Sequence, residues 1–322
     1  MIEDALLRRE WLAVGWSSSV KAGQLLPVRL LGRDVVLWRD AGEVHAWEDL
    51  CIHRGAKLSL GQVRSGCVIC AYHFWQYDAS GKCVFIPSHP DQPPPLKARA
   101  NVFHAQERYG LVWVALECPS EELPSFPESE DSSFRKVLAG PYRFRAKGPR
   151  IIENFLDVAH LPFVHAGLLG DPGRAQIEDY EVESGADGVI ARDIKIWQPN
   201  PDGTGTPAQV FYDYTVARPL TACFRKRQQA KCFSMLDTVT PIDEEESLAW
   251  VVLALNYADD ASDEELRSFQ DKVSLQDKAM VESQRPELLP LDLQAELHLR
   301  SDRMAIAYRR WLKELGMDYG TA

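Results

Sequence analysis

The chain lacks an apolar run long enough to cross a bilayer. Its longest, LAWVVLAL at 248–255, falls far short of the roughly 20 residues a membrane helix needs and reads as a buried strand. It also lacks a basic surplus: 36 Lys and Arg stand against 47 Asp and Glu, for a net charge of -11. Such a surface repels a phosphate backbone, so nucleic acid is not an expected partner. The start, MIEDALLRREW, is acidic where a signal peptide needs basic residues and then an apolar stretch. A cytoplasmic protein is expected. Seven cysteines make an odd number, which in a reducing compartment points to metal ligands or free thiols rather than a disulfide frame. No internal repeat is found, and low complexity is confined to DQPPPL at 91–96. A G-x-G-x-x-G stretch between a strand and a helix is missing as well, so the sequence offers no dinucleotide-binding fingerprint.

What is present divides in two. From Val28 to Leu116 short β-rich runs (VRLLG, RDVVLWRD, EVHAWEDL, KCVFIP, YGLVWVAL) alternate with turn signals such as DAGE and DASGK, which describes a small all-β module. The stretch CPSEELPSFPESEDSSF at 118–134 has the composition of a surface linker. We therefore place one domain at 1–125 and a second at 126–322. The second opens with a helical segment around 150–165 and continues through five strand-like runs. It closes with helices near 262–285 and 302–315. Strands bracketed by helices without a βαβ alternation predict an α+β domain on an antiparallel sheet.

The β module contains CIHRGAKLSLGQVRSGCVICAYH, which supplies Cys51, His53, Cys70 and His73. Two thiolates and two imidazoles make a four-ligand metal site. Zinc accepts a set of two Cys and two His. A Rieske [2Fe-2S] cluster needs one Cys and one His from each of two loops, and the tight Cys-x-His spacing favours that arrangement. Cys67 forms a competing Cys-x-x-Cys with Cys70 and is read as a bystander.

In NFLDVAHLPFVH, residues 154–165, four polar groups interrupt an apolar segment. Asn154, Asp157 and His160 form a drifting polar stripe on a helix. His165 lies about 140° round from His160 on an ideal helix, so both reach one ion only if the helix distorts. Pro162 is a source of such a bend. Two imidazoles and one carboxylate form the facial triad of ferrous oxygenases. Asp157 is one candidate for the carboxylate. Asp277 is the better one: Leu266, Phe269, Val273 and Met280 mark an inward stripe, and Asp277 falls on it, where an unpaired charge is costly.

These motifs resemble those of the Rieske non-heme iron oxygenases. EDLCIHRGA and CAYHFWQYDASGKC look like the two cluster loops, ENFLDVAHLPFVH like the mononuclear iron motif, and LQDKAMVESQ like the segment giving its third ligand. The resemblance runs from WLAVGW to SDRMAIAYRRWLKELG. It implies a Rieske domain followed by a helix-grip catalytic domain. Cys51 and Cys70 would hold one cluster iron and His53 and His73 the other, while His160, His165 and Asp277 would hold mononuclear Fe(II). Asp157 would bridge His73 of one subunit to His160 of the next in a head-to-tail homotrimer, and Asn154 would sit near the iron. A separate NAD(P)H-dependent flavin or ferredoxin reductase would supply two electrons, so that O₂ hydroxylates a C–H bond of a small cyclic substrate or demethylates it. The likeness is to the monooxygenase branch, which includes vanillate demethylase and dicamba monooxygenase; a cis-dihydroxylating dioxygenase is the alternative. QERYGLVWVAL, PSFPE and SDRMAIAYRRWLKELG are most similar to hydroxylases of the saxitoxin pathway, a likeness of scaffold that sets no substrate. Where that family usually has Gly after the second histidine, this chain has Phe74. If φ is positive there, Phe is strained.

Overall fold

Pairs ending in glycine set the first hairpins. In the computed structural model, which describes every residue except Ala186, Asp187 and Asp259, Leu31-Gly32, Ala41-Gly42 and Tyr109-Gly110 all have positive φ. That is the two-residue turn whose twist matches paired strands. The turns join β2 (Leu25–Leu30) to β3 (Arg33–Asp40), β3 to β4 (Glu43–Glu48), and β9 (Val102–Arg108) to β10 (Leu111–Ala115). With β1 (Leu12–Trp16) these strands form a six-stranded antiparallel sheet in the order β1-β10-β9-β4-β3-β2. Between β4 and β9 the chain builds a second, four-stranded sheet from β5 (Gln62–Arg64), β6 (Cys67–Ile69), β7 (Gln76–Tyr77) and β8 (Cys83–Phe85). Trp38, Trp47, Cys51, Val68, Cys70 and Tyr77 share one buried core across both sheets. This is an all-β unit, Met1–Glu122 together with Ile242–Glu244.

The second unit, Leu123–Pro241 with Glu245–Ala322, is α+β. After α1 (Pro127–Glu130) come β11 (Arg135–Phe144), β12 (Val182–Gly185), β13 (Gly188–Gln198), β14 (Ala208–Arg218), β15 (Thr221–Gln228), β16 (Lys231–Pro241) and β17 (Ser247–Leu255). They form one antiparallel sheet in the order β11-β17-β16-β15-β14-β13-β12. Helices α2 (Gly148–Leu156), α3 (Leu161–Val164), α4 (Asp263–Val281) and α5 (Arg303–Leu315) complete the unit. Helix α4 packs on β11, α2 on β16 and α4, and α5 on β12 and β13. A capping box starts α4: the Ser262 hydroxyl accepts from the Glu265 N–H, and the Glu265 carboxylate accepts from the Ser262 N–H.

Two expectations need correction. The segment 150–165 is not one bent helix: α2 ends at Leu156, the chain turns through 157–160, and Pro162 sits in the first turn of α3, where a missing N–H costs nothing. Along α4, Phe269 and Met280 are about half exposed while Gln270, Val273, Ser274 and Val281 are buried. The helix is rotated so that polar Gln270 and Ser274 join Asp277 on the inward face, where the sequence had placed it.

Candidate metal centres and substrate cavity

The loops after β4 and β6 carry the first donor set. Cys51 and Cys70 are buried, and their thiols lie against each other. Burial pushes the Cys70 thiol up, while the backbone N–H groups of Tyr72 and His73 aim at its sulfur and pull it down. His53 and His73 lie nearer solvent, with their Nδ1 atoms 3.1 Å apart. Two adjacent thiols below and two imidazoles converging above suit a Rieske cluster, which takes its irons from those two pairs. Cys67 stands in β6, where the nearby charges are Asp78 and Asp40. Phe74 has φ 58°, the left-handed conformation that its position demands. Sequence reasoning passed over two neighbours. Tyr77 Oη lies 3.1 Å from Cys51 Sγ, and Trp75 stacks on His53 with 4.4 Å between ring centroids. The first could have been sought as a polar tip on a buried strand residue; the second carries no sequence signal.

The second donor set lies in the α+β unit. His160 Nε2 and His165 Nε2 are 3.1 Å apart, and Asp277 Oδ1 is 2.9 Å from the latter and 3.4 Å from the former. Among the described residues these three form a group able to hold a metal ion. Adjacent ligands on a metal with bonds near 2.1 Å stand about 3 Å apart, so the spacing fits. Buried Asp277 Oδ1 has no hydrogen-bond partner, although charge attraction from both imidazoles offsets its burial and keeps it below the usual carboxylate range. The three donor atoms converge on a shared point. A cation there would compensate the carboxylate. Burial opposes charge on His160, but Asp157 and Asp277 outweigh it and hold the imidazole up at about 9.

Each histidine is oriented from behind. Gln276 Oε1 lies 2.9 Å from His165 Nδ1, and Asp157 Oδ2 lies 3.6 Å from His160 Nδ1, which leaves Nε2 of each for the centre. Asp157 also caps the turn by accepting from the Ala159 N–H. The break after α2 is what lets two histidines five residues apart converge. Helix α2 is itself anchored by a buried network: Glu153 accepts from Arg309, while Glu296 accepts from Arg150 and Arg309.

These groups form part of the wall of a cavity of about 390 Å³. Asn154 lines it, as do Tyr214 and Phe224, whereas Phe163 is exposed. Phe224 packs with Phe155, Tyr212 and Phe233 at centroid distances of 5.1 to 5.9 Å. The run Arg225-Lys226-Arg227 is split by strand alternation. Arg225 pairs with Glu128 and Arg227 with Asp213, while Lys226 is buried in the cavity wall. There burial lowers its ammonium to about 8, and its Nζ donates to Pro201 O at 2.6 Å. On β16, Phe233, Met235 and Asp237 alternate onto the cavity side. Burial, then the charge of Asp277, pushes the Asp237 carboxyl up to about 7. Asp237, Gln276 and the inward turn of Lys226 were not anticipated, since each depends on which strand or helix face meets the cavity.

Comparison with known proteins agrees with this geometry. A Rieske [2Fe-2S] domain model matches residues 10–104, and a vanillate O-demethylase oxygenase C-terminal domain model matches 144–317. The chain is 33% identical over 297 residues to the methylxanthine N1-demethylase NdmA of Pseudomonas putida, covering 90% of this chain and 82% of that one. A structure of an NdmA mutant with theobromine superposes with a TM-score of 0.84 at 32% identity, over 96% of this chain and 91% of that one. Dicamba monooxygenase bound to dicamba, at 23% identity over 96% of this chain and 97% of that one, has a TM-score of 0.82 and shows the shared fold. The chain belongs to the Rieske non-heme iron oxygenases. Within them it is a terminal oxygenase of the monooxygenase branch that holds the vanillate and methylxanthine enzymes. No helix among the described residues is long and apolar enough to cross a membrane.

Proposed function

We propose that the enzyme removes a methyl group from nitrogen or oxygen of a small cyclic substrate, or hydroxylates its ring, with electrons from a separate reductase. The observation that carries this reading is the placing of His160, His165 and Asp277 in the wall of an aromatic cavity of about 390 Å³, within the size range of small-molecule sites. Methylxanthine demethylases among the relatives favour a nitrogen heterocycle.

In this reading Cys51 and Cys70 hold one cluster iron and His53 and His73 the other, while His160, His165 and Asp277 hold the mononuclear iron. The bound metals supply single-electron transfer and O₂ activation respectively. The protein's part is positional. Gln276 fixes the tautomer of His165, and the Asp157 carboxylate supplies a negative charge behind His160. Asp157 is also partly exposed, with 39% of its side chain accessible, and we assign it as the link to His73 of a neighbouring subunit in a homotrimer. Asn154 borders the space beside the iron. Phe155, Phe224 and Phe233 keep water from the substrate carbon. All seven cysteines are unpaired, which supports a cytoplasmic setting. The net reaction consumes substrate, O₂, two electrons and two protons and yields hydroxylated product and water; a hydroxylated methyl on nitrogen or oxygen departs as formaldehyde.

The test is O₂ uptake and formaldehyde release with a surrogate reductase across N-methyl heterocycles, methoxylated aromatics and guanidinium alkaloids. Substrate-dependent O₂ uptake is expected, matched by formaldehyde wherever a methyl group on nitrogen or oxygen is lost. Incorporation of both atoms of labelled O₂ into a cis-diol would overturn the monooxygenase assignment.

A further inference from the structure

Asp237 has no role in binding metal, yet it is placed where a substrate must lie. It sits on β16 with its cross-strand neighbours Ala222 and Val251, neither of which can pair with a carboxyl. It is 7% exposed, and its Oδ1 is buried without a hydrogen-bond partner. Three polar groups of the same wall are engaged elsewhere. Lys226 Nζ donates to Pro201 O and lies 3.4 Å from Gln198 Oε1. Tyr142 Oη donates to Asp271, and Gln270 Nε2 to Ser274 Oγ. A buried acceptor left unmet by the protein is costly, and the strand turns this one into the cavity with Phe233 and Met235. The aromatic faces around it, Phe224 and Tyr214 among them, favour a cation over an anion. Lys226 is the one lysine or arginine in the wall among the described residues, and its ammonium is held by the chain.

We propose that Asp237 selects the substrate by accepting a hydrogen bond from a protonated, N–H-bearing nitrogen, so that the preferred substrates are cationic amines, amidines or guanidines. This rests on the cavity being the oxygenase's substrate site. A carboxylate meeting an ammonium or guanidinium forms a charge-assisted bond whose strength grows as water is excluded.

Binding is measured by calorimetry on the iron-loaded enzyme with three probes of similar size: para-methoxybenzylamine, para-methylanisole and para-methoxybenzoate. The wild type should bind the ammonium probe about tenfold or more tightly than the neutral one, and the carboxylate probe least. Asp237→Asn should bring the ratio of ammonium to neutral probe close to unity without weakening the neutral probe. Asp237→Leu serves as a second neutral variant should the first misfold. Equal binding of the charged and neutral probes by the wild type, no binding of the ammonium probe, or a preference that survives in both variants overturns the proposal. Iron content and visible spectrum are recorded in parallel. A wild-type protein without the cluster spectrum would sink the oxygenase reading instead, and the affinity ratio is read independently of it.

Discussion

The two donor sets collect their ligands in opposite ways. The first draws all four from residues 51–73, on two loops of a small β unit, with its imidazoles near solvent. The second joins His160 and His165 to Asp277, more than a hundred residues on. Its donors are largely buried, His165 being 1% exposed. A local set depends on turn conformation; a distributed one depends on the packing of a whole unit. The difference also suits their tasks. A site that passes electrons to another protein needs an accessible edge, whereas one that activates O₂ beside a substrate gains from excluding water.

The largest expected effect comes from removing the carboxylate shared by both buried histidines. Asp277→Ala should abolish turnover while the brown cluster chromophore persists, and loss of that colour would show that the sites are not separate. Glu153→Ala should come next, because it removes the carboxylate that accepts from both Nε and Nη2 of Arg309, which is 2% exposed. Breaking a buried pair costs about 3–5 kcal/mol, read as a lower midpoint in denaturant; a loss under about 1 kcal/mol would mean that the network does not anchor α2. Asp157→Ala removes a group behind a ligand rather than a ligand. Turnover should fall about 10–100-fold with both metals retained, measured by metal analysis and steady-state rates together, and near-normal rates would contradict its assigned role. The smallest effect is at the local set. Phe74→Gly relieves a left-handed φ and should stabilise the β unit by up to about 1 kcal/mol, with metal content at the second site unchanged. A destabilised variant would show that the half-exposed ring packs in a way that compensates the strain.

The sequence by itself determined the outline. The hairpin signals, the two loops with one Cys and one His each, the His-x-x-x-x-His spacing and the polar Asp277 within an apolar segment could all be read in the chain, because each is set by neighbours a few residues apart. The antiparallel α+β character of the second unit was legible for the same reason, and the closing helices began within a residue of where periodicity put them. Tertiary structure decided the rest. It ended α2 at Leu156 and turned the chain so that two imidazoles converge, rotated α4 so that Gln270 and Ser274 join Asp277 on the inward face, and chose which side of β15 and β16 lines the cavity. Those choices put Lys226 and Asp237 beside the substrate space and Gln276 behind His165. A strand's period of two says which residues share a face, but which face is buried depends on elements far away in the sequence.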